Sequence, residues 1–365
     1  MNSKINNPYK FLRTNKKISN RTVLAAMTNK QSHDNGILSD DEIKWLYERA
    51  KGGFGIITTA ATNVSKEAKA WNGEFGVYDD IHLPQLKKLT TKIHKTKSLI
   101  FAQLFHGGLR SPQNITGETP ISASIIDCKE SFSGKSKSAS EKDIIKIIND
   151  FKNAAVRCSN AGFDGIELHG AHGYLISQFL GFKTNLRKDN WGGDLTGRSQ
   201  LLFNIIKSIK QNVPDNFIVG VRLSPEIESI GINLMDTINL IGMLRNFNLD
   251  FIHISCWDVF AKPKTIVNQS KTLTQIITES YDSLPTIIST GGVWSSSDAN
   301  KLLMQGCDLV GVGRVAIAYP EWPKKIKDEN YDPKKPPFKF KELKKAKLND
   351  TFINYMRNWN NFVQD

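Results

Sequence analysis

The sequence predicts a (β/α)8 barrel, and three observations carry that prediction. Eight short apolar runs rich in β-branched residues recur along the chain, at Thr22–Met27, Gly55–Ala61, Leu99–Phe105, Gly165–His169, Phe217–Leu223, Phe251–Ser255, Thr286–Thr290 and Leu309–Gly313. Helix-period patterns follow most of them. The eight units follow one another without a domain break, and 365 residues suit one large barrel or two ordinary domains. Parallel strands covered on both faces read as continuous apolar runs rather than alternating ones. A doubly wound sheet is the rival topology; eight units in one unbroken chain favour closure.

In chain order, Ser39-Asp40-Asp41-Glu42 has the form of a capping box, and the helix it opens stops at Gly52-Gly53. Gly107 to Ser140 is long and rich in Ser, Gly and Pro, which reads as an excursion or lid over the barrel mouth. A helix beginning near Ser140 carries Ile144, Ile148, Phe151, Ala155 and Cys158 on one face, and Leu201, Ile205, Ile206 and Ile209 repeat that spacing before the fifth strand. From about Pro320 the chain is basic and proline-punctuated, ending in Thr351–Val363, read as a final helix on the outside. The expected organisation is a barrel over residues 1–320 and a basic extension over 321–365. No repeat of solenoid length is present.

Composition narrows the class. Hydrophobic content of 39% and charged content of 23% are those of a soluble globular protein. Met1 to Lys17 is polar and basic, so no secretory signal is expected, and no apolar run reaches the ~20 residues of a membrane span. Four cysteines far apart, with no CxxC, argue against structural zinc, iron–sulfur ligation and a disulfide framework, and suit a reducing cytoplasm. The net charge of +13 owes much to ten lysines between Lys324 and Lys347. A basic surface attracts phosphorylated ligands and nucleic acids alike, but this stretch lacks the aromatic interleaving of a single-strand binder and reads as a solvated face.

The chemistry gathers at predicted strand ends. Phe163-Asp-Gly-Ile-Glu-Leu-His-Gly-Ala-His-Gly-Tyr174 places His169, His172 and Tyr174 in a glycine-punctuated turn past the fourth strand, at the end where parallel barrels bind ligands. Gly291-Gly292 follows the seventh strand and Gly313-Arg314 the eighth, the usual phosphate position of this fold. Glycines let backbone N–H groups approach phosphate oxygens, and Arg314 adds a charged fork. Thr28, Gln103 and Arg222 bring a hydroxyl, an amide and a cation to the same mouth, matching the edges of an isoalloxazine ring.

Five blocks carry a family resemblance: Asn20-Arg-Thr-Val-Leu-Ala-Ala-Met-Thr28, Gln103-Leu-Phe-His-Gly-Gly108, Ala161 to Leu175, the run Asn185, Arg187, Asp189, Trp191, Gly192, Gly193 and Arg198, and the closing glycine loops with Arg314. From about Asn7 to Pro320 the chain resembles the Old Yellow Enzyme family of FMN-dependent ene-reductases. The resemblance implies a cofactor of FMN, with NADPH or NADH as hydride donor. Ala25, Ala26, Met27 and Thr28 would wrap the flavin and Ala61 lie against it. Gln103 would pair with its pyrimidine edge, Arg222 sit by N1, and Gly291, Gly292, Gly313 and Arg314 hold its phosphate. His169 and His172 would bind the activating oxygen of an electrophilic alkene, and Tyr174 would protonate it.

Departures from the family pattern are Ala26 for a common proline, Thr28 where some members have a cysteine, Lys30 where others place an active-site tyrosine, and Trp191 for a usual tyrosine. Length and cysteine count do not match the larger members with an iron–sulfur cluster. Two other acceptors stay open: a quinone or nitro compound, and an RNA base, although the glycine-cysteine-proline context of RNA-reducing flavin barrels is missing. His169 and His172 lack the carboxylate set of a zinc site, so no metal is expected. No nucleic-acid or membrane partner is expected, and homo-oligomerisation stays open. Substrate choice is expected from the long third loop and from Trp71 and Trp257.

Overall fold

The computed structural model describes residues 4–265 and 269–364. Eight parallel strands close into a barrel: β1 Thr22–Leu24, β2 Ile56–Asn63, β3 Leu99–Phe105, β4 Gly165–Gly170, β5 Ile218–Leu223, β6 Phe251–Ser255, β7 Thr286–Thr290 and β8 Leu309–Val312. Each pairs with its neighbours in sequence, and β8 returns to β1 through Val310↔Thr22 to Val312↔Leu24. One covering helix stands in each connection, α1 Asp40–Lys51, α2 Leu83–Ile93, α3 Glu141–Asn160, α4 Gln200–Lys210, α5 Leu234–Leu244, α6 Leu273–Thr278 and α7 Ser296–Met304, beside the short helices Gln113–Thr116, Leu175–Leu180 and Leu195–Arg198; α8 Arg314–Ala318 follows β8. The expected (β/α)8 architecture is the one observed.

The barrel is filled in layers, each two residues further along the strands. Its floor is apolar: Val23, Ile56, Phe101, Ile218, Phe251, Ile288 and Leu309, closed from below by Phe11 and Ile18 of the N-terminal hairpin. Gly220 makes room there, since a Cβ would stand 2.4 Å from the Phe251 ring. One step up, the strands turn polar with Gln103, Glu167, Arg222, His253 and Thr290, all buried. β2 carries a bulge between Thr58 and Ala61, and the Thr59 hydroxyl accepts the Gln103 N–H (3.2 Å) that the interrupted ladder leaves over.

Several local expectations need correction. The first strand ends at Leu24 rather than Met27, because Ala25 donates to the Val312 carbonyl (3.0 Å) and the chain then leaves the ladder. The capping box at Ser39 is only half formed: Ser39 accepts the Glu42 N–H, but the Glu42 carboxylate is taken by Asn29 Nδ2 (2.8 Å) and Ser32 Oγ (2.6 Å). On α3 the buried face runs through Ile147, with Ile148 at its margin. The expected terminal helix is shorter, α9 Asp350–Met356, after which Val363–Gln364 pairs with Phe338–Lys339.

The chain after residue 320 packs on the barrel's flank. Trp322 Nε1 donates to the Trp294 carbonyl and Trp294 Nε1 to that of Pro333, each at 2.7 Å. The Arg49 guanidinium, fully buried, donates to the carbonyls of Trp45, Ala316, Ile317 and Ala346, joining α1, α8 and the tail. All ten lysines from Lys324 to Lys347 are exposed. Arg49→Met keeps the volume and strands these acceptors; because each buried orphan costs about 1–3 kcal/mol, unfolding in urea should show a loss of at least roughly 3 kcal/mol. A loss below about 1 kcal/mol would mean that the tail docks without it.

Candidate active site at the barrel mouth

The strand β4 ends in the turn that carries the polar cluster. His172 has φ 61° and Gly173 φ 76°, so a non-glycine residue is held in the left-handed region. Three contacts hold it. The His172 N–H donates to Ser224 Oγ (3.1 Å), its carbonyl accepts from Arg110 Nη1 (3.0 Å), and Gln178 donates to the Gly173 carbonyl (2.8 Å). Gln178, fully buried, also binds the Leu109 N–H through Oε1 (3.0 Å), clamping the turn to the start of the excursion after β3.

The rings converge. His169 lies 5.0 Å from His172 and 4.9 Å from Tyr174, centroid to centroid, and Tyr174 packs edge-on to Phe105 at 4.5 Å. Ala61, Ala70 and Trp71 complete an apolar wall around Tyr174. Burial pushes the His169 imidazole well below the usual histidine value, and desolvation in the mouth with the Arg222 charge does the same to the more exposed His172, so both are neutral. Burial raises the Tyr174 pKa, with Arg110 opposing.

The hydrogen bonds assign the imidazole protons. His169 Nδ1 accepts the Ala171 N–H (3.3 Å), which leaves the proton on Nε2. Ser255 Oγ accepts from Arg222 Nη2 (3.0 Å) and lies 2.7 Å from His172 Nε2. Because Ser255 Oγ already accepts from Arg222, its hydroxyl hydrogen is directed to His172 Nε2, and the His172 proton then stands on Nδ1, free of protein partners.

Beneath these rings lies an ionic layer. Glu167 accepts from Gln103 Nε2 and from His253 Nδ1, both at 2.6 Å, and His253 Nε2 accepts from Thr290 Oγ1 at 2.6 Å. Burial pulls the Glu167 pKa upward, but His253, Arg222 and Gln103 outweigh it and hold the carboxyl ionised. Burial pulls His253 down, to a neutral donor. Arg222 is therefore the counter-charge; it also donates to the Ala26 carbonyl (3.3 Å).

The residues singled out from sequence fall as follows. His169, His172 and Tyr174 form one cluster, with Ala61 against Tyr174. Gln103 and Arg222 lie in the layer below. Ala25, Ala26, Met27 and Thr28 follow β1; Gly313 sits beside Met27, where a Cβ would stand 3.2 Å from its sulfur. Gly291 has φ 150° and would meet the Cys256 carbonyl with any side chain; Gly292 has φ 73°. Arg314 is exposed at the head of α8. Trp71 reaches the site, 6.5 Å from Tyr174, whereas Trp257 is 84% exposed and sits apart from the aromatic cluster.

Sequence reasoning missed five residues. Ser255, His253 and Glu167 carried a signal, being polar residues two apart from inward neighbours on otherwise apolar strands. Arg110, whose Cζ lies 4.4 Å from the Tyr174 ring centroid, and Tyr355 of α9, hydrogen-bonded to Thr28, carried none.

Residues 5–333 match the family described as NADH:flavin oxidoreductase / NADH oxidase. The chain belongs to that family. The probable NADH-dependent flavin oxidoreductase YqiG of Bacillus subtilis is 32% identical over 316 residues, covering 85% of this chain and 84% of that protein. 12-Oxophytodienoate reductase 2 of Arabidopsis thaliana is 30% identical, covering 87% of each. The NADH:acrylate oxidoreductase of Vibrio harveyi is 32% identical over 86% of this chain, which spans only 32% of that protein. The fold is that of the Old Yellow Enzyme homologue from Zymomonas mobilis, with a TM-score of 0.79 at 24% identity over 93% of this chain and 96% of that one. The protein is an Old Yellow Enzyme-family oxidoreductase, using FMN with NAD(P)H as hydride donor.

The mouth fits that cofactor. Arg222 Nε is a buried donor without a partner, and a side chain at Gly291 would press on the Cys256 carbonyl and one at Gly313 on Met27, so both loops keep their backbone bare. No helix among the described residues is long and apolar enough to cross a membrane.

The buried imidazoles give the family enzyme a pH signature. His82, His106 (down to about 4), His169 and His253 are all buried and have depressed pKa values caused first by that burial. Their contribution is complete above pH ~6.5 and lost as pH falls toward the folded values, because the unfolded chain takes up protons first. Glu42, raised by burial to about 7, and Glu74, also raised by burial well above the usual carboxylate range, oppose this, but the four histidines outnumber them. Stability measured in urea should therefore fall between pH 7 and pH 5, by about 1.4 kcal/mol per pH unit for each uncompensated histidine. A rise on acidification would contradict the burial of these rings.

Proposed function

We propose that the enzyme reduces the activated C=C bond of α,β-unsaturated aldehydes, ketones and nitroalkenes. The observation that carries this reading is the pair of neutral imidazoles, each with one N–H free of protein partners, beside a buried tyrosine hydroxyl. Relatives named for acrylate and 12-oxophytodienoate support an alkene acceptor.

FMN, when bound, supplies the hydride it takes from NAD(P)H. Ala25 to Thr28, Ala61, Gln103 and Arg222 would hold its ring, and Gly291, Gly292, Gly313 and Arg314 its phosphate. Gln103 can do so in one orientation only, because Glu167 takes one of its amide protons. The carbonyl or nitro oxygen of the acceptor sits between His169 Nε2–H and His172 Nδ1–H. Negative charge grows on that oxygen as Cβ is reduced, and donors fixed before the reaction stabilise it without reorganisation. A neutral imidazole suits this role, since it donates without competing for the proton needed at Cα. Tyr174 gives that proton: its raised pKa keeps it protonated at neutral pH, and the Arg110 cation eases the negative charge left on its oxygen.

Tyr174→Phe removes the proton and little volume. Reduction of the bound flavin by NAD(P)H should be nearly unaffected, whereas re-oxidation by 2-cyclohexenone should slow by about 10²–10⁴-fold. A nitroalkene should suffer less, because its nitronate leaves before protonation. Stopped-flow traces of the two half-reactions decide the matter; equal slowing of both, or none with the enone, would mean that the proton comes from elsewhere.

A further inference from the structure

We infer that the enzyme's preferred acceptors are electron-poor alkenes carrying a carboxylate, recognised by Arg110. The inference rests on the alkene-reductase reading above and names its substrate class. Two cations stand at the mouth, each over an aromatic ring. Arg110 lies over Tyr174, with Cζ 4.4 Å from the centroid, and Lys30 over Tyr355, with Nζ at 5.2 Å. The two rings share one opening: Tyr355 bonds Thr28, and the charges of Tyr355 and Arg110 are both felt at Tyr174.

Neither cation has a carboxylate within ion-pair distance among the described residues. The acids of neighbouring segments are engaged elsewhere: Glu67 with Lys146, Asp189 with Arg187, and Asp34 with the Gly73 N–H. Glu74, whose charge is felt at Tyr174, accepts the Ala70 N–H, and burial raises its pKa well above the usual carboxylate range. The guanidinium of Arg110 spends one donor on the His172 carbonyl and is otherwise exposed. An arginine that only anchored the turn would need no more than that. Its remaining N–H groups match the two oxygens of a carboxylate in a forked pair.

The position fits the chemistry. The guanidinium covers the ring of the residue that protonates Cα, so a carboxylate a few bonds from that carbon comes within its reach while the carbonyl oxygen stays on the histidines. A 4-oxo-2-alkenoate has this layout, a ketone at one end of the alkene and a carboxylate at the other. Its reduction balances as NAD(P)H plus one proton giving NAD(P)+ and the saturated 4-oxoalkanoate: the hydride passes to the alkene through FMN, and the proton through Tyr174, which solvent restores. Lys30 and the net charge of +13 add an attractive field for anions on approach.

The test compares trans-4-oxo-2-pentenoate with its methyl ester, the same alkene with and without the charge, using the FMN-loaded full chain. The ratio of kcat/KM for acid over ester should fall about tenfold in Arg110→Gln, with Arg110→Lys between the two. Taking the ratio cancels the intrinsic reactivities and any effect of the substitution on Tyr174. A ratio unchanged within about twofold overturns the inference, as does a defect confined to flavin reduction by NAD(P)H, which would assign Arg110 to the dinucleotide. Reduction of the ester by wild type with no loss of ratio in the variant removes this inference alone. Reduction of neither compound removes the alkene-reductase reading and this inference with it.

Discussion

One carboxylate sets the terms for the barrel's interior. Glu167 is buried on β4 with its oxygens claimed by Gln103 and His253. Its charge is what allows Arg222 to sit inside the barrel as a cation. Arg222 in turn fixes the Ser255 hydroxyl, and Ser255 fixes the His172 proton. A single ionised group thus determines which atoms at the mouth donate and which accept. Removing any partner would leave a buried charge or donor unpaired, so the layer stands or falls together.

Around that layer the barrel separates three environments within a few residues of each strand. The floor is dry and apolar, closed by the N-terminal hairpin. The middle is ionic and hydrogen-bonded through Glu167, with Arg222 Nε left as a buried donor without a partner. The mouth combines neutral imidazoles, an aromatic wall and two cations. The tail takes part in this arrangement, since Arg49 binds it to α1 and α8 while α9 brings Tyr355 to Thr28.

The strands were legible in the sequence because helices cover each of them, so burial on both faces leaves uninterrupted apolar runs. The cluster at His169, His172 and Tyr174 was legible because it is local, three groups within six residues of one turn. What depends on distant partners was not. The Glu42 side chain left its capping box for Asn29 and Ser32, which only the folded chain brings near. Arg110 and Tyr355 reach the mouth from an irregular excursion and from the far end of the chain, where no periodicity marks an inward face. Glu167, His253 and Ser255 lie between these cases: their two-residue spacing was present, but the continuity of the apolar runs masked it.

The most direct test is anaerobic. The purified holoenzyme, bleached by one equivalent of NADPH or NADH, is mixed with 2-cyclohexenone, and the flavin spectrum and product are followed together. The account predicts that the oxidised spectrum returns and that one cyclohexanone forms per flavin. A reduced flavin that ignores the enone, yet is re-oxidised at once by a quinone, would contradict it.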